Sequence, residues 1–161
     1  NQIPRLPRYI SAYSDEIIGE YFSDPEVIKL FSLNPEITFG SQSDNVYDAL
    51  YKDFMMPYVD RVEYLLRQNL PVLIYNGQND IIVETPGTMR WVERIDYPDA
   101  QTFRNTLFTT WKVDGKVAGS IKAAGILEFR IVNNAGHLVP MDQGRNALEM
   151  VRSFVNRLKD Q

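Results

Sequence analysis

The sequence contains no cysteine and a single histidine. Disulfides within the chain are therefore excluded, and so are thiolate zinc sites, which need several Cys or His ligands at defined spacing. No metal site and no cofactor is expected. An empty cysteine count leaves the compartment open, because a secreted protein can carry its bridges on another segment. No apolar run approaches the roughly 18–20 residues that span a bilayer. A formal net charge of −4 speaks against nucleic acid or an anionic membrane as partner. The opening Asn1–Arg8 has neither an apolar h-region nor an initiator Met, so it is not read as a signal peptide; the missing Met suggests that something upstream was removed. No N-x-S/T acceptor occurs. Nor is there a G-x-S-x-G turn, the local sequence that exposes a nucleophilic serine between strand and helix. Ser41, Ser43 and Ser120 do not fit that pattern.

What is present can build a core: 161 residues, 44% hydrophobic and 12% aromatic. Pro71–Val83 organises the chain. Val72–Tyr75 is a short apolar run ending at Asn76-Gly77, the pattern of a parallel strand buried on both faces. Asp80 follows three residues after the glycine. Leu127–Val132 repeats the design, then Asn133-Asn134-Ala135-Gly136 leads to His137. The carboxyl ends of parallel strands are where α/β proteins place their chemistry. An aspartate after a strand more often satisfies nearby backbone N–H groups, and a lone histidine more often packs than catalyses. Gly136 before His137 and Pro140 after it make a tight, stiff loop, and the order Asp then His fits the hydrolase arrangement Ser…Asp…His. An aspartate on one imidazole nitrogen would fix the tautomer of a general base.

Around these strands, Ser11–Glu20 reads as a short helix. Ser23-Asp24-Pro25-Glu26 is a strong helix start, with Val27, Ile28, Leu30 and Phe31 as its apolar face. Helical spacing recurs at Val46, Tyr47, Leu50, Tyr51 and Phe54, and again over Val59–Leu66. Glu84-Thr85-Pro86 opens another helix, with Met89, Trp91, Val92 and Ile95 inward. Residues 101–112 lean towards strand. Asp114-Gly115 between strand formers signals a hairpin. From about Asp142 an amphipathic helix closes the chain, with Ala147, Met150, Val151, Phe154, Val155 and Leu158 inward. Two parallel strands are too few for an independent sheet, so the chain reads as half of a larger α/β domain.

The Asp block V-L-I-Y-N-G-Q-N-D-I-I-V and the His block N-A-G-H-L-V-P-M-D-Q together resemble the serine carboxypeptidase family of α/β-hydrolases. Y-F-S-D-P-E-V-I-K-L-F and the stretch from Trp111 through V-D-G-K-V-A-G-S-I-K resemble its flanking segments, so the resemblance runs from about Tyr21 to Leu158. It implies an α/β fold that is the C-terminal part of an α/β-hydrolase: residues 1–57 the end of the insertion or cap, residues 58–161 the last core strands with the Asp and His loops. It also implies catalytic roles for Asp80 and His137, with Leu138 binding substrate where the family usually has Met. Val83 stands where many relatives have cysteine. The serine, in a G-E-S-Y-A-G-like elbow, and the oxyanion hole are expected on an N-terminal large chain of the same precursor. The implied activity is release of C-terminal amino acids from peptides, in a lysosomal, vacuolar or secreted setting. A homodimer of two-chain units is compatible with the resemblance. A carboxypeptidase-like acyltransferase or esterase shares both blocks, and a non-catalytic binding module on the same scaffold is the further alternative.

Overall fold

The computed structural model describes residues 15–40 and 43–159. The extended lead-in expected over residues 1–10 and the first part of the Ser11–Glu20 helix lie outside the described residues. The chain parts into two compact units between Met56 and Pro57.

The first unit is helical: α1 (Asp15–Ser23), α2 (Pro25–Phe31) and α3 (Asp44–Leu50). The predicted start of α2 is confirmed in detail. Asp24 is its N-cap, and one carboxylate oxygen accepts from the backbone N–H of Glu26 at 2.8 Å and of Val27 at 3.4 Å. Of the expected apolar face only Val27 is buried, while Leu30 and Phe31 are exposed. In α3 and the turns after it, Val46, Tyr47, Leu50, Tyr51 and Phe54 are all exposed. Their helical spacing made a face without a core beneath it.

The second unit holds α4 (Val59–Arg67), β1 (Val72–Gly77), α5 (Thr85–Val92), α6 (Ala100–Asn105), β2 (Thr109–Val113), β3 (Lys116–Ala124), β4 (Leu127–Val132), α7 (Val139–Asp142) and α8 (Gly144–Lys159). Its sheet has the order β1-β4-β3-β2. β1 and β4 are parallel, Val72 opposite Leu127 through Gly77 opposite Val132, so both strands end level. β3 runs antiparallel to both β4 and β2. The β2–β3 hairpin turns at Asp114-Gly115 with positive φ at both (50° and 78°), as a two-residue turn requires.

Side-chain alternation sorts β4 between two cores. Leu127 and Phe129 pack with Leu66 of α4, Val92 of α5 and Phe103 of α6. Val132 joins Ala147 and Met150 of α8 on the other face, with Leu73 and Trp111 alongside. Helices therefore cover both faces of a parallel pair. β4 is buried as predicted, but β1 is only half-buried and Tyr75 is exposed. The reason is position: β1 is an edge strand among the described residues.

Three local expectations are corrected. Residues 100–105 form a helix, because Ala100 and Phe103, three apart, both enter the core; strand begins only at Thr109. The final helix begins at Gly144, since Gln143 (ψ 54°) breaks it from α7. Ala147 and Met150 are buried in α8 and Phe154 is half-buried, whereas Val151 and Val155 lie on an exposed flank.

Candidate active site

Two loops leave the level ends of β1 and β4 and are stitched together by backbone. Gln78 N–H donates to Val132 O and Asn79 N–H to Ala135 O, both at 2.9 Å. The loops approach so closely at Gly77 that a β-carbon there would lie 2.5 Å from Ala135 O and nearer still to Gly136 O. Gly77 has no left-handed φ, so its need for glycine is steric, not conformational.

Each oxygen of the Asp80 carboxylate has its own task. Oδ1 accepts from the backbone N–H groups of Ile82 and Val83, at 2.9 Å each, which closes the loop on itself. Oδ2 lies 3.1 Å from Nδ1 of His137. The Asp80 side chain is only 5% exposed, against 46% for His137. Burial pushes the Asp80 carboxyl up. The Val83 N–H, His137 and the Ile82 N–H together outweigh that, so its pKa is held below the ordinary aspartate value. An ionised carboxylate can only accept, so Nδ1 carries a proton, and in the neutral imidazole the lone pair is then on Nε2. Nothing else among the described residues bonds the ring. This pair can accept a proton at Nε2 and stabilise the resulting imidazolium.

Beneath Asp80 lies a buried polar cluster that the sequence reading did not single out. Asn76 donates through Nδ2 to Val83 O (2.7 Å) and Thr85 Oγ1 (3.1 Å), and accepts from Thr88 Oγ1 at 3.2 Å. Thr85 Oγ1 in turn donates to Gly77 O at 2.8 Å. These bonds tie the exit of the Asp80 loop to the first turn of α5. The available signal was an amide side chain in an apolar strand, with threonines at the start of the next helix. Under the His loop, Asn134 N–H donates to Gln78 Oε1 (3.2 Å) and Gly136 N–H to Asp142 Oδ2 (2.7 Å).

Leu138, directly after His137, is 48% exposed beside the pair. Val83 is exposed as well, its N–H held by Asp80. Ser120 lies within β3 and Ser43 precedes α3. Among the described residues there is no cluster of three metal-ligating side chains, and no helix is long and apolar enough to cross a membrane.

A mixed sheet with helices on both faces, whose parallel strand ends carry an Asp and a His, defines the C-terminal part of an α/β-hydrolase fold. Kex1(delta)p, a prohormone-processing carboxypeptidase from Saccharomyces cerevisiae, has this fold: its crystal structure superposes with a TM-score of 0.75 at 21% identity, covering 88% of this chain and 32% of that one. The sequence profile of the serine carboxypeptidases matches residues 4–157, and the chain belongs to that family. It is 36% identical over 149 residues to serine carboxypeptidase 3 of Triticum aestivum, covering 92% of this chain and 30% of that protein. With the retinoid-inducible serine carboxypeptidase of Rattus norvegicus the identity is 32%, covering 90% of this chain and 33% of the relative. The chain thus spans about a third of the length of these relatives.

Proposed function

We propose that this chain is the small chain of a serine carboxypeptidase and supplies the Asp and His of its triad. The observation that carries the reading is the hydrogen bond between Asp80 Oδ2 and His137 Nδ1 at the level ends of β1 and β4. In this reading residues 1–57 are the end of the cap and residues 58–161 the end of the hydrolase core. A large chain of the same precursor brings the nucleophilic serine and the oxyanion hole, in a lysosomal, vacuolar or secreted setting.

His137 Nε2 takes the proton from the serine hydroxyl as its oxygen attacks the last peptide carbonyl. Asp80 holds the ring in the required tautomer and faces the imidazolium charge. The tetrahedral intermediate collapses as Nε2–H protonates the leaving nitrogen, which frees the C-terminal amino acid and leaves the acyl-enzyme. Water, deprotonated by the same nitrogen, then releases the shortened peptide. Leu138, exposed next to the base, lines the pocket for the side chain at the scissile bond.

The test uses the complete protein and an unmodified peptide, followed by mass spectrometry. Products shorter by one C-terminal residue at a time, with a single serine labelled by a reactive phosphonate, support the reading. Acyl transfer to an added alcohol without trimming points to an acyltransferase. A protein that binds peptide, trims nothing and takes no label is a binding module on this scaffold.

A further inference from the structure

The Asp80 loop is bound by its own carboxylate and by Asn76, but the loop that presents His137 has a different anchor. Asn133 N–H donates to Ala118 O at 2.9 Å, and Asn79 N–H donates to Ala135 O at 2.9 Å. Asn134 is held on both sides, by Gln78 Oε1 at its N–H (3.2 Å) and by Gln143 Nε2 at its carbonyl (3.2 Å). All of these partners are neutral, and they fix the loop only as far as Ala135. The other end of that Ala135–Gly136 peptide, the N–H just before His137, is held by a carboxylate: Asp142 Oδ2 accepts the Gly136 N–H at 2.7 Å.

Asp142 reaches this place because α7 is a single turn. Met141 and Asp142 N–H groups donate to Leu138 O (2.9 and 3.0 Å), and the chain then leaves the helix at Gln143, whose carbonyl starts α8 by accepting from Ala147 N–H at 2.8 Å. The break directs Asp142 back under the loop instead of along a continuous helix. The Gly136 carbonyl oxygen also comes close to Gly77, so Gly136 has a backbone contact at its C=O and a carboxylate at its N–H.

We infer that Asp142 is a positioning residue for His137: its carboxylate clamps the Gly136 peptide and thereby fixes where the imidazole stands over Asp80. This rests on the triad reading and extends it to a residue that touches no reacting atom. Hydrogen bonds to a charged acceptor are the stronger kind, suited to holding a short loop in one geometry. A displacement near 1 Å at a reacting group costs about 100-fold in rate.

The experiment compares Asp142→Ala, Asp142→Asn and Asp142→Glu in the complete protein. Asp142→Ala removes the acceptor, and kcat should fall about 10- to 100-fold with KM within about twofold. Asp142→Asn keeps an acceptor in place and should recover most of that loss. Asp142→Glu keeps the charge but moves it by one methylene, and kcat should fall as for alanine. A role in stability alone would lower the melting temperature in all three and leave kcat per folded molecule unchanged, which overturns the inference. Should Asp142→Ala fail to fold, Asp142→Glu decides: full kcat overturns the clamp and a kcat loss sustains it. The two readings fail separately. A wild-type protein that trims no peptide, or a His137→Ala variant at full rate, defeats the triad; a His137-dependent enzyme indifferent to Asp142 defeats only the clamp.

Discussion

Replacing Gly77 by alanine tests how tightly the fold and the site are joined. The added methyl carbon would lie 2.5 Å from Ala135 O and 2.8 Å from its carbonyl carbon, with Gly136 O closer still. Carbon and oxygen ordinarily approach to about 3.3 Å, so the His loop must withdraw by roughly 1 Å. Both obstacles are backbone, and the loop is pinned by the Asn79 and Gly136 N–H bonds, so no rotamer change relieves the clash. Overpacking of this kind costs about 1–3 kcal/mol, or about 2–12 °C in melting temperature for a protein of this size or somewhat larger. The withdrawal also carries His137 away from Asp80, and kcat should fall about 100-fold. Gly87, within α5, has nothing within 4 Å of where its β-carbon would be. Gly87→Ala should be neutral or stabilise by up to about 1 kcal/mol. Thermal unfolding and peptide trimming on both variants make the comparison. Wild-type melting and turnover in Gly77→Ala would refute the claim that the strand end and the His loop are in contact.

Two other outcomes follow from named contacts. Because the Asp80 pKa is lowered in the folded protein, its stabilising contribution is complete above the ordinary aspartate value and is lost as pH falls through the lower folded value. The stability gap between wild type and Asp80→Asn should therefore narrow as the pH is taken down through that window; a gap that widens in acid would contradict the sign. Glu128, 2% exposed, pairs with Arg130 and with Arg157 at 2.8 Å. Glu128→Gln leaves those guanidiniums without a counter-charge and should cost about 3–5 kcal/mol in denaturant unfolding; a loss under about 1 kcal/mol would mean that the pair is dispensable.

The parallel pair, the hairpin at Asp114-Gly115 and the start of α2 were legible in the sequence because local signals decide each of them. Short runs of strand formers that end at Asn-Gly or Asn-Asn mark the two parallel strands, Asp-Gly demands positive φ, and Asp24-Pro25 caps a helix whatever surrounds it. The placement of Asp80 and His137 at neighbouring strand ends was legible for the same reason, since each follows its strand at short range. Where tertiary burial decides, the sequence misled. Thr102 and Phe103 favour strand by propensity, but the pocket formed by Leu66, Val92 and Phe129 takes Ala100 and Phe103 from one helical face. The stripe Val46-Leu50-Phe54 has helical period, yet periodicity cannot say whether anything covers it. The Asn76–Thr85–Thr88 cluster and the Asp142 clamp were out of reach because they join side chains to backbone groups 6–8 residues away, or to side chains 9–12 residues away.

The most direct test of the account is the rate at which the complete protein releases a C-terminal amino acid when His137 is replaced by alanine. If Asp80 and His137 form the base of a serine-type triad, kcat should fall by about four orders of magnitude or more while the protein stays folded and associated with the serine-bearing chain. Turnover within tenfold of wild type would contradict it.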